Sequence, residues 1–241
     1  MGFGPWLSSP SKMPGASWNL PAGSSCPASK LAAKLHGNAS TCHKCYAKTG
    51  RYGTNVVKAA MQRRFDFVLQ SLRDDNGDSF VSTMVAEITR VYRKREPVFR
   101  VHDSGDMFSP EYVRCWIRIA QALPHIRFWV PTREWIRPQM LPVLRELHAL
   151  PNVTVRPSAL RRNDPAPVVE GLGPGSAVYD KQEQVPEGTN TCPATGSGEH
   201  SCDAHGCRRC WDKDEKPVAY LYHHAGDQFL VNIQKRKAHA A

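Results

Sequence analysis

The stretch VFRVHDSGDMFSPEYVRCWIRIAQALPHIRFWV, residues 98–130, decides the fold. Its two apolar runs, 98–102 and 126–130, are typical of short buried strands, while 110–123 repeats apolar residues at helical spacing after Ser109. A helix between two strands predicts parallel pairing through a right-handed crossover. The unit therefore favours an α/β fold.

The same alternation continues on both sides of that stretch. A helix is predicted over 140–150 and a strand over 153–156, and two amphipathic helices, 55–72 and 80–91, come before. Helices and strands in this order predict an incomplete parallel (β/α) barrel-like core that spans residues 54–160.

The flanking segments are rich in turn residues and contain seven of the eight cysteines. We predict an irregular, cysteine-containing segment over 1–53, with one helical turn at 31–35, and a cysteine-rich C-terminal extension over 161–241. Both are expected to pack on the core in one compact domain. Three short apolar runs in the extension are candidate strands: 175–180, 218–222 and 229–233. For the last two runs, one strand and one helix is the alternative.

Length and composition exclude several classes of protein. A chain of 241 residues with 41% hydrophobic residues can bury a core, which excludes a disordered tail. No run approaches the ~18 apolar residues of a membrane span, and the N-terminus lacks the layout of a secretory signal. We therefore expect a cytoplasmic protein with no membrane partner, in a reducing compartment where clustered cysteines bind metal or take part in chemistry.

The positive charge is concentrated near the N-terminus. The formal net charge is +10, and nine lysines and arginines precede Asp66, the first carboxylate in the chain. Such a field attracts an anionic small molecule or a nucleic acid, and it also offsets the negative charge of a thiolate-bound metal cluster. A solvated basic surface is the alternative interpretation.

Seven cysteines fall into two groups. The first group is Cys26, Cys42 and Cys45, and the second group is Cys192, Cys202, Cys207 and Cys210. Each contains a Cys-x2-Cys pair, the spacing at which two thiolates bind one metal ion or cluster. Three thiolates on a 4Fe-4S cluster leave one iron open for a substrate, whereas four thiolates complete the ligand set of a second cluster or of a zinc ion.

Two other arrangements are compatible with this spacing. The two Cys-x2-Cys pairs can form one zinc ribbon, or thiolates of both groups can share a single site. Tyr46 and Trp211 each follow the second cysteine of a pair, where an aromatic ring can shield a cluster from water, and this favours iron. Cys115, in the middle of the helix over 110–123, is expected to be a buried thiol.

Polar residues follow the predicted strands, at the ends where parallel sheets bind ligands. The candidate catalytic residues are Asp103, Ser104, Asp106 and Arg133. The candidate cofactor-binding residues are Gly105, Asp103 and Arg156. Glycine lets a ligand approach the backbone closely, and a carboxylate accepts a hydrogen bond from a cationic or hydroxyl group of the ligand. A guanidinium binds a carboxylate or phosphate. Helix caps and surface salt bridges are the alternative roles.

Several segments together resemble the Gene product 88 family of actinobacteriophages and plasmids. They are WNLPAGSSCP at 18–27, CHKCYAKTGRY at 42–52, the stretch from 99 to 135 with HDSGD and PTREW, TCPAT at 191–195 and CRRCW at 207–211. The resemblance implies a phage or mobile-element origin and a shared cysteine scaffold, and it carries no reaction with it.

A second resemblance is to radical S-adenosylmethionine enzymes. The Cys-x2-Cys pair followed by Tyr46 and Ala47, and the later alternation of strands and helices, are similar to their layout. The resemblance implies an incomplete α/β barrel, a three-cysteine 4Fe-4S cluster and contact between the loop 103–106 and the methionyl amine. The usual C-x3-C-x2-C motif is replaced here by wider spacing between Cys26 and Cys42.

The predicted function is that of a phage-encoded iron–sulfur protein in the cytoplasm of the infected host, with one or two 4Fe-4S clusters and an enzymatic, radical S-adenosylmethionine-like role. One alternative is a zinc-stabilised protein that binds nucleic acid through its basic N-terminal region. Another is an iron–sulfur sensor or host-interaction protein without turnover. The sequence leaves the substrate, the electron donor and the oligomeric state open.

Overall fold

The computed structural model describes residues 6–10, 12–43, 45–92, 96–196, 201–213 and 216–222. The predicted element over 229–233 lies outside these residues. The helices are α1 (Pro27–His36), α2 (Asn55–Asp74), α3 (Asp78–Val91), α4 (Pro110–Ala122), α5 (Leu141–Ala149) and α6 (Pro193–Gly196). The strands are β1 (Ala16–Trp18), β2 (Val98–Val101), β3 (Arg127–Thr132), β4 (Val153–Pro157), β5 (Ser176–Tyr179), β6 (Asn190–Thr191) and β7 (Val218–Leu221).

Two parallel sheets organise these elements. The first has the strand order β1-β2-β3-β4 and the second the order β5-β7-β6. An isolated parallel bridge between Ser158 and Ser176 joins the end of β4 to the start of β5. The predicted α/β class is therefore confirmed, with a four-stranded parallel sheet whose neighbours are consecutive along the chain.

The central elements lie where their patterns predicted them. The helix predicted over 110–123 is α4, and it begins as expected because the Ser109 hydroxyl accepts a hydrogen bond from the Tyr112 N–H at 3.3 Å while Pro110 occupies the first turn. Cys115 is buried within it, as predicted.

The N-terminal segment is more regular than predicted. β1 pairs in parallel with β2, so that Ser17 lies opposite Arg100. α1 has ten residues instead of one turn, because Pro27 begins it and Ala28 and Ala32 are buried along one side. The prediction that 1–53 is irregular was therefore wrong for these two elements.

The two faces of the first sheet are covered differently. Helices pack on one face, where Trp116 of α4 contacts Phe99 of β2 and Phe128 of β3 at ring-centroid distances of 6.0 and 6.5 Å. On the other face, Trp129 packs against Trp211 of the C-terminal extension at 5.4 Å. This second contact places the extension directly on the sheet.

No helix among the described residues is both long and apolar enough to cross a lipid bilayer.

Candidate functional site

The loops after β2 and β3 meet at the carboxyl edge of the first sheet. Asp106 accepts hydrogen bonds from the Thr132 hydroxyl at 2.6 Å, from the Arg133 backbone N–H at 2.9 Å and from the Met107 N–H at 2.8 Å. Burial raises the pKa of Asp106, and these three hydrogen bonds oppose the rise. Asp106 thus ties the two loops together, and its catalytic role stays a prediction.

Ser104 and Gly105 bind the loop that leads to Cys26. The Ser104 hydroxyl donates to the Leu20 carbonyl at 2.8 Å, and the Leu20 N–H donates to the Ser104 carbonyl at 2.9 Å. Gly105 has a φ of +89°, and a Cβ atom there would lie 2.7 Å from Leu20 Cβ and 2.8 Å from Ser25 Oγ. Only glycine allows this approach. The candidate roles of Ser104 in catalysis and of Gly105 in cofactor binding stay predictions.

Asp103 is the buried carboxylate with the least complete set of hydrogen bonds at this edge. Its Oδ2 accepts from the Ser17 hydroxyl at 3.2 Å and from the Tyr52 hydroxyl at 3.1 Å. Its Oδ1 has no well-formed hydrogen bond among the described residues, although Asn19 lies beside it. Burial raises the pKa of Asp103, and the Arg100 charge opposes the rise. An N–H or O–H group of a ligand would satisfy Oδ1.

The first cysteine group gathers beside these loops. Burial raises the pKa of Cys26 to about 12, and the Asp106 carboxylate is the next largest cause. Burial also raises the pKa of Cys45, the Cys42 thiol adds to the rise, and the Arg133 guanidinium opposes it. The structure therefore brings the three predicted ligands of the first group together with Asp106 and Arg133.

Arg133 supplies positive charge at the first group. Burial alone would lower its pKa, but Cys42, Asp106 and Cys45 together raise it. The side chain is held in place because Nε donates to the Ala159 carbonyl at 3.1 Å. A fixed guanidinium next to thiols favours their charged, metal-binding form.

The second cysteine group lines a small cavity of about 20 Å³, around which Cys192, Cys202, Cys207 and Cys210 all lie. Burial raises the pKa of Cys202 to about 12, with contributions from the other three thiols. Cys210 Sγ lies 3.4 Å from the Tyr220 hydroxyl, within hydrogen-bond distance. All four predicted ligands of the second group are therefore neighbours.

Arg156 anchors the second group to β4. This fully buried guanidinium donates from Nε to the Cys210 carbonyl at 3.1 Å and from Nη1 to the Pro174 carbonyl at 3.0 Å. Its Nη2 donates to the carbonyls of Arg209 at 2.6 Å and Asp212 at 2.9 Å. Arg156 holds the cysteine segment in place with four of its five N–H groups, and its predicted role in cofactor binding stays a prediction.

The two groups remain separate in space. Each thiol's neighbouring thiols belong to its own group, and Cys26 and Cys202 illustrate this on the two sides. Within the residues that the structure describes, no three His, Cys, Asp or Glu side chains are arranged so that they could hold a single metal ion. The zinc ribbon that pairs the two Cys-x2-Cys knuckles and the single shared site stay alternative predictions.

Glu134 is a buried carboxylate that no sequence pattern marks as functional. This residue is fully buried, and its carboxylate accepts a hydrogen bond from the Ala28 N–H at 2.9 Å and pairs with Arg137 at 2.6 Å. The only available signal was its place directly after Arg133 at the end of a predicted strand.

A profile of the Gene product 88 family matches residues 4–213, which is most of the chain. The chain belongs to the Gene product 88 family. Its match to the Gene 88 protein of Mycobacterium phage L5 is 32% identical over 91 residues, 37% of this chain and 38% of that protein. Its match to the Gene 88 protein of Mycobacterium phage D29 is 29% identical over 139 residues, 56% of each chain.

The match thus spans between about two fifths and just over half of these curated relatives. No solved structure matches the chain. Because the relatives are bacteriophage proteins, they support the predicted phage origin of this Gene product 88 family member. The similarity to radical S-adenosylmethionine enzymes rests on motif layout alone.

Proposed function

We propose that this Gene product 88 family member is an iron–sulfur protein that acts in the cytoplasm of the infected host, and that Cys26, Cys42 and Cys45 ligate a 4Fe-4S cluster with one open iron. The observation that carries the proposal is the position of the first group. Three thiols gather at the carboxyl edge of a parallel sheet, where ligands bind in such folds. Arg133 lies beside them as a fixed cation, and Tyr46, which follows Cys45, donates to the carbonyl of the buried Asp103.

The donor set fits a cluster better than a single ion. Thiolates around one zinc ion with Zn–S bonds of about 2.3 Å must converge on one point, and the described side chains do not converge in this way. A four-iron cluster gives each cysteine its own iron and so keeps the sulfurs farther apart. Thiols that are neighbours without converging therefore favour a cluster at the first group, and the same finding also weighs against zinc at the second group. When bound, such a cluster supplies one-electron chemistry and an open coordination position.

The chain's own residues have defined tasks at this edge. Arg133 offsets the charge of the thiolates, and Asp103 Oδ1 accepts a hydrogen bond from a cationic amine of a bound ligand. Ser17 and Tyr52 hold Asp103 in the required orientation. An amino-acid moiety such as that of S-adenosylmethionine offers such an amine, which is why we propose an enzyme of this kind.

The finer fold proposal is an incomplete barrel. Consecutive parallel strands, with a bridge from the end of β4 to the start of β5, are the arrangement from which a (β/α) barrel is built. In this proposal the second cysteine group lies against the face of the sheet that packs on Trp211, opposite α4, and holds a second cluster or a zinc ion.

Elemental analysis tests the proposal. The full-length protein is purified without oxygen, and iron, acid-labile sulfide and zinc are measured per chain. We expect iron and sulfide in near-equal amounts, together with a low-temperature EPR signal after reduction that changes when S-adenosylmethionine is added. Stoichiometric zinc without sulfide contradicts an iron–sulfur protein, and an EPR signal unaffected by S-adenosylmethionine contradicts that ligand alone.

A second candidate function is nucleic-acid binding, which the exposed cations of the N-terminal region favour. Lys30 and Lys34 of α1, Lys48, Arg51 and Lys58 are all exposed. Binding to duplex DNA would weaken with salt by a slope of about −0.9 for each phosphate contact. Fluorescence anisotropy over a salt series measures this slope, and absence of binding to DNA and RNA at low salt removes the candidate.

A further inference from the structure

We propose that Glu134 is the positioning residue of Cys26. This inference rests on the proposed role of the first cysteine group as metal ligands. Cys26 is the N-cap of α1, and the Glu134 carboxylate accepts a hydrogen bond from the backbone N–H of Ala28, two residues further on, at 2.9 Å. The partners are 106 residues apart in the sequence. A long-range contact of this kind fixes where the helix, and with it Cys26, begins.

α1 needs this carboxylate because it provides no cap of its own. The first backbone N–H groups of a helix lack partners within it, and an acidic side chain there satisfies them and complements the helix dipole. The first turn of α1, PASK, contains no acidic residue, and the Cys26 side chain makes no capping hydrogen bond to the described backbone. Glu134 supplies from the end of β3 what the helix lacks.

Glu134 is itself held firmly. Its Oε2 pairs with Arg137 at 2.6 Å, and its backbone N–H donates to the Thr132 hydroxyl at 3.0 Å. That hydroxyl donates in turn to Asp106 at 2.6 Å. The chain of contacts links Cys26 to the same strand end that carries Arg133, so that the thiol and its counter-cation keep a fixed relation to each other.

The reactivity of Cys26 tests this inference. Full-length E134A, E134Q and parent proteins are stripped of metal with a chelator and alkylated with iodoacetamide, and each cysteine is followed by mass spectrometry. We expect Cys26 to react about tenfold faster in E134A, because losing a charge-assisted hydrogen bond favours local opening, while Cys210 changes by less than about twofold. In E134Q the rise is about threefold, since the amide oxygen still accepts from Ala28.

Glu87→Gln is the matched control. It also removes an ion pair between residues three apart, Glu87 and Arg90 at 2.8 Å, but it leaves α1 untouched, and we expect parental Cys26 reactivity. An unchanged Cys26 rate in E134A, even with a lower melting temperature, overturns the inference. Where E134A is insoluble, an unchanged rate in E134Q overturns it. A parent protein without iron contradicts the proposed function instead, and the alkylation rates still decide the role of Glu134.

Discussion

The second cysteine group is fixed to the sheet by two large side chains that donate to backbone carbonyls, whereas the first group lies beside loops that are joined to one another by hydrogen bonds of Ser104 and Asp106. Arg156 binds the second segment through four carbonyls, and the Trp211 indole N–H donates to the Phe99 carbonyl at 2.9 Å. At the first group, Cys42 and Cys45 are half-buried and lie next to Arg133 at the carboxyl edge of the sheet. We therefore propose that the second group is part of the scaffold and that the first is the reactive site.

Two single variants, each lacking one thiol of one group, test this contrast, and we expect them to show the largest change in melting temperature. Metal at the second group would tie the second sheet to the N-terminal segment, where the Cys202 N–H donates to the Lys12 carbonyl at 2.7 Å. Structural thiolate sites contribute up to about 10 kcal/mol of apparent binding energy, so Cys207→Ala should lower the melting temperature far more than Cys42→Ala. Both variants should lose iron or zinc, measured per chain. Equal melting temperatures would show that the two groups do not differ in this way.

Arg156→Met probes the anchor of the second group. The substitution leaves four carbonyls without this donor, that of Cys210 in a buried contact and the other three in part-buried contacts. At about 1 kcal/mol for each lost hydrogen bond, the free energy of unfolding should fall by about 4 kcal/mol. Urea unfolding measures the loss. Arg114→Met is the control, because Arg114 is exposed and lies 3.8 Å from Glu111, and its effect should stay below about 0.5 kcal/mol. A loss below 1 kcal/mol in Arg156→Met would remove this residue as the anchor.

Gly105→Ala probes the loop beside the first group. Gly105 has a φ of +89°, and the added Cβ would press on Leu20 and Ser25. We expect a loss of about 3 kcal/mol, of which about 1 kcal/mol is the backbone conformation. Gly188→Ala measures the cost of the backbone conformation alone, because Gly188 has a φ of +78° and an added Cβ there has nothing within 4 Å. If the two variants lose the same stability in urea, the loop contact contributes nothing.

The pH dependence of stability should depend on His102, which directly precedes the loop 103–106. Burial, followed by the Arg100 charge, lowers the pKa of His102 to about 3, so the imidazole is neutral in the fold and takes up a proton on unfolding below its ordinary value. Stability should therefore fall as the pH drops below about 6.5, by about 2 kcal/mol between pH 7 and pH 5.

His102→Asn removes this titration and suits the positive φ of 73° at that position, since asparagine tolerates it better than most residues. Urea unfolding at pH 7 and pH 5 should show a smaller difference for His102→Asn than for the parent. His125→Asn, at an exposed position, should keep the parental difference. A pH dependence that His102→Asn leaves intact would assign the effect to other groups.

The sequence predicted the core well because each element there carries a strong local pattern. The apolar alternation in 98–130 and the Ser109 cap are local signals, and both reappear in the structure. β1 and α1 carried weak signals, because β1 has three residues and is defined by its pairing with β2, while α1 receives its cap from Glu134. Local periodicity cannot report such long-range partners.

At the candidate site, too, features with a local sequence signal were predicted and features that depend on long-range partners were not. Cysteine spacing predicted the two groups, and the structure makes thiols within each group neighbours, while their role as metal ligands stays a prediction. Arg156 was predicted to bind a ligand because a cation after a strand often does, and that role stays a prediction. The structure shows instead which carbonyls it contacts, and three of them, such as that of Cys210 at 3.1 Å, belong to residues more than fifty positions away. No spacing rule contains that information.

The smallest expected effect concerns Cys115, the thiol that belongs to neither group. It is buried in α4 and belongs to neither cysteine group, so it should bind no metal, and because burial raises its pKa to about 11 it should react slowly with alkylating agents. Cys115→Ala removes one buried atom and should cost about 1 kcal/mol in urea unfolding, with iron and zinc content unchanged. Cys115→Ser keeps the size but buries a hydroxyl, and it should cost more than Cys115→Ala because that hydroxyl must find a partner within the helix. A loss of metal in Cys115→Ala would mean that the division of the cysteines into two ligand groups and one packing thiol is wrong, whereas a loss confined to stability supports it.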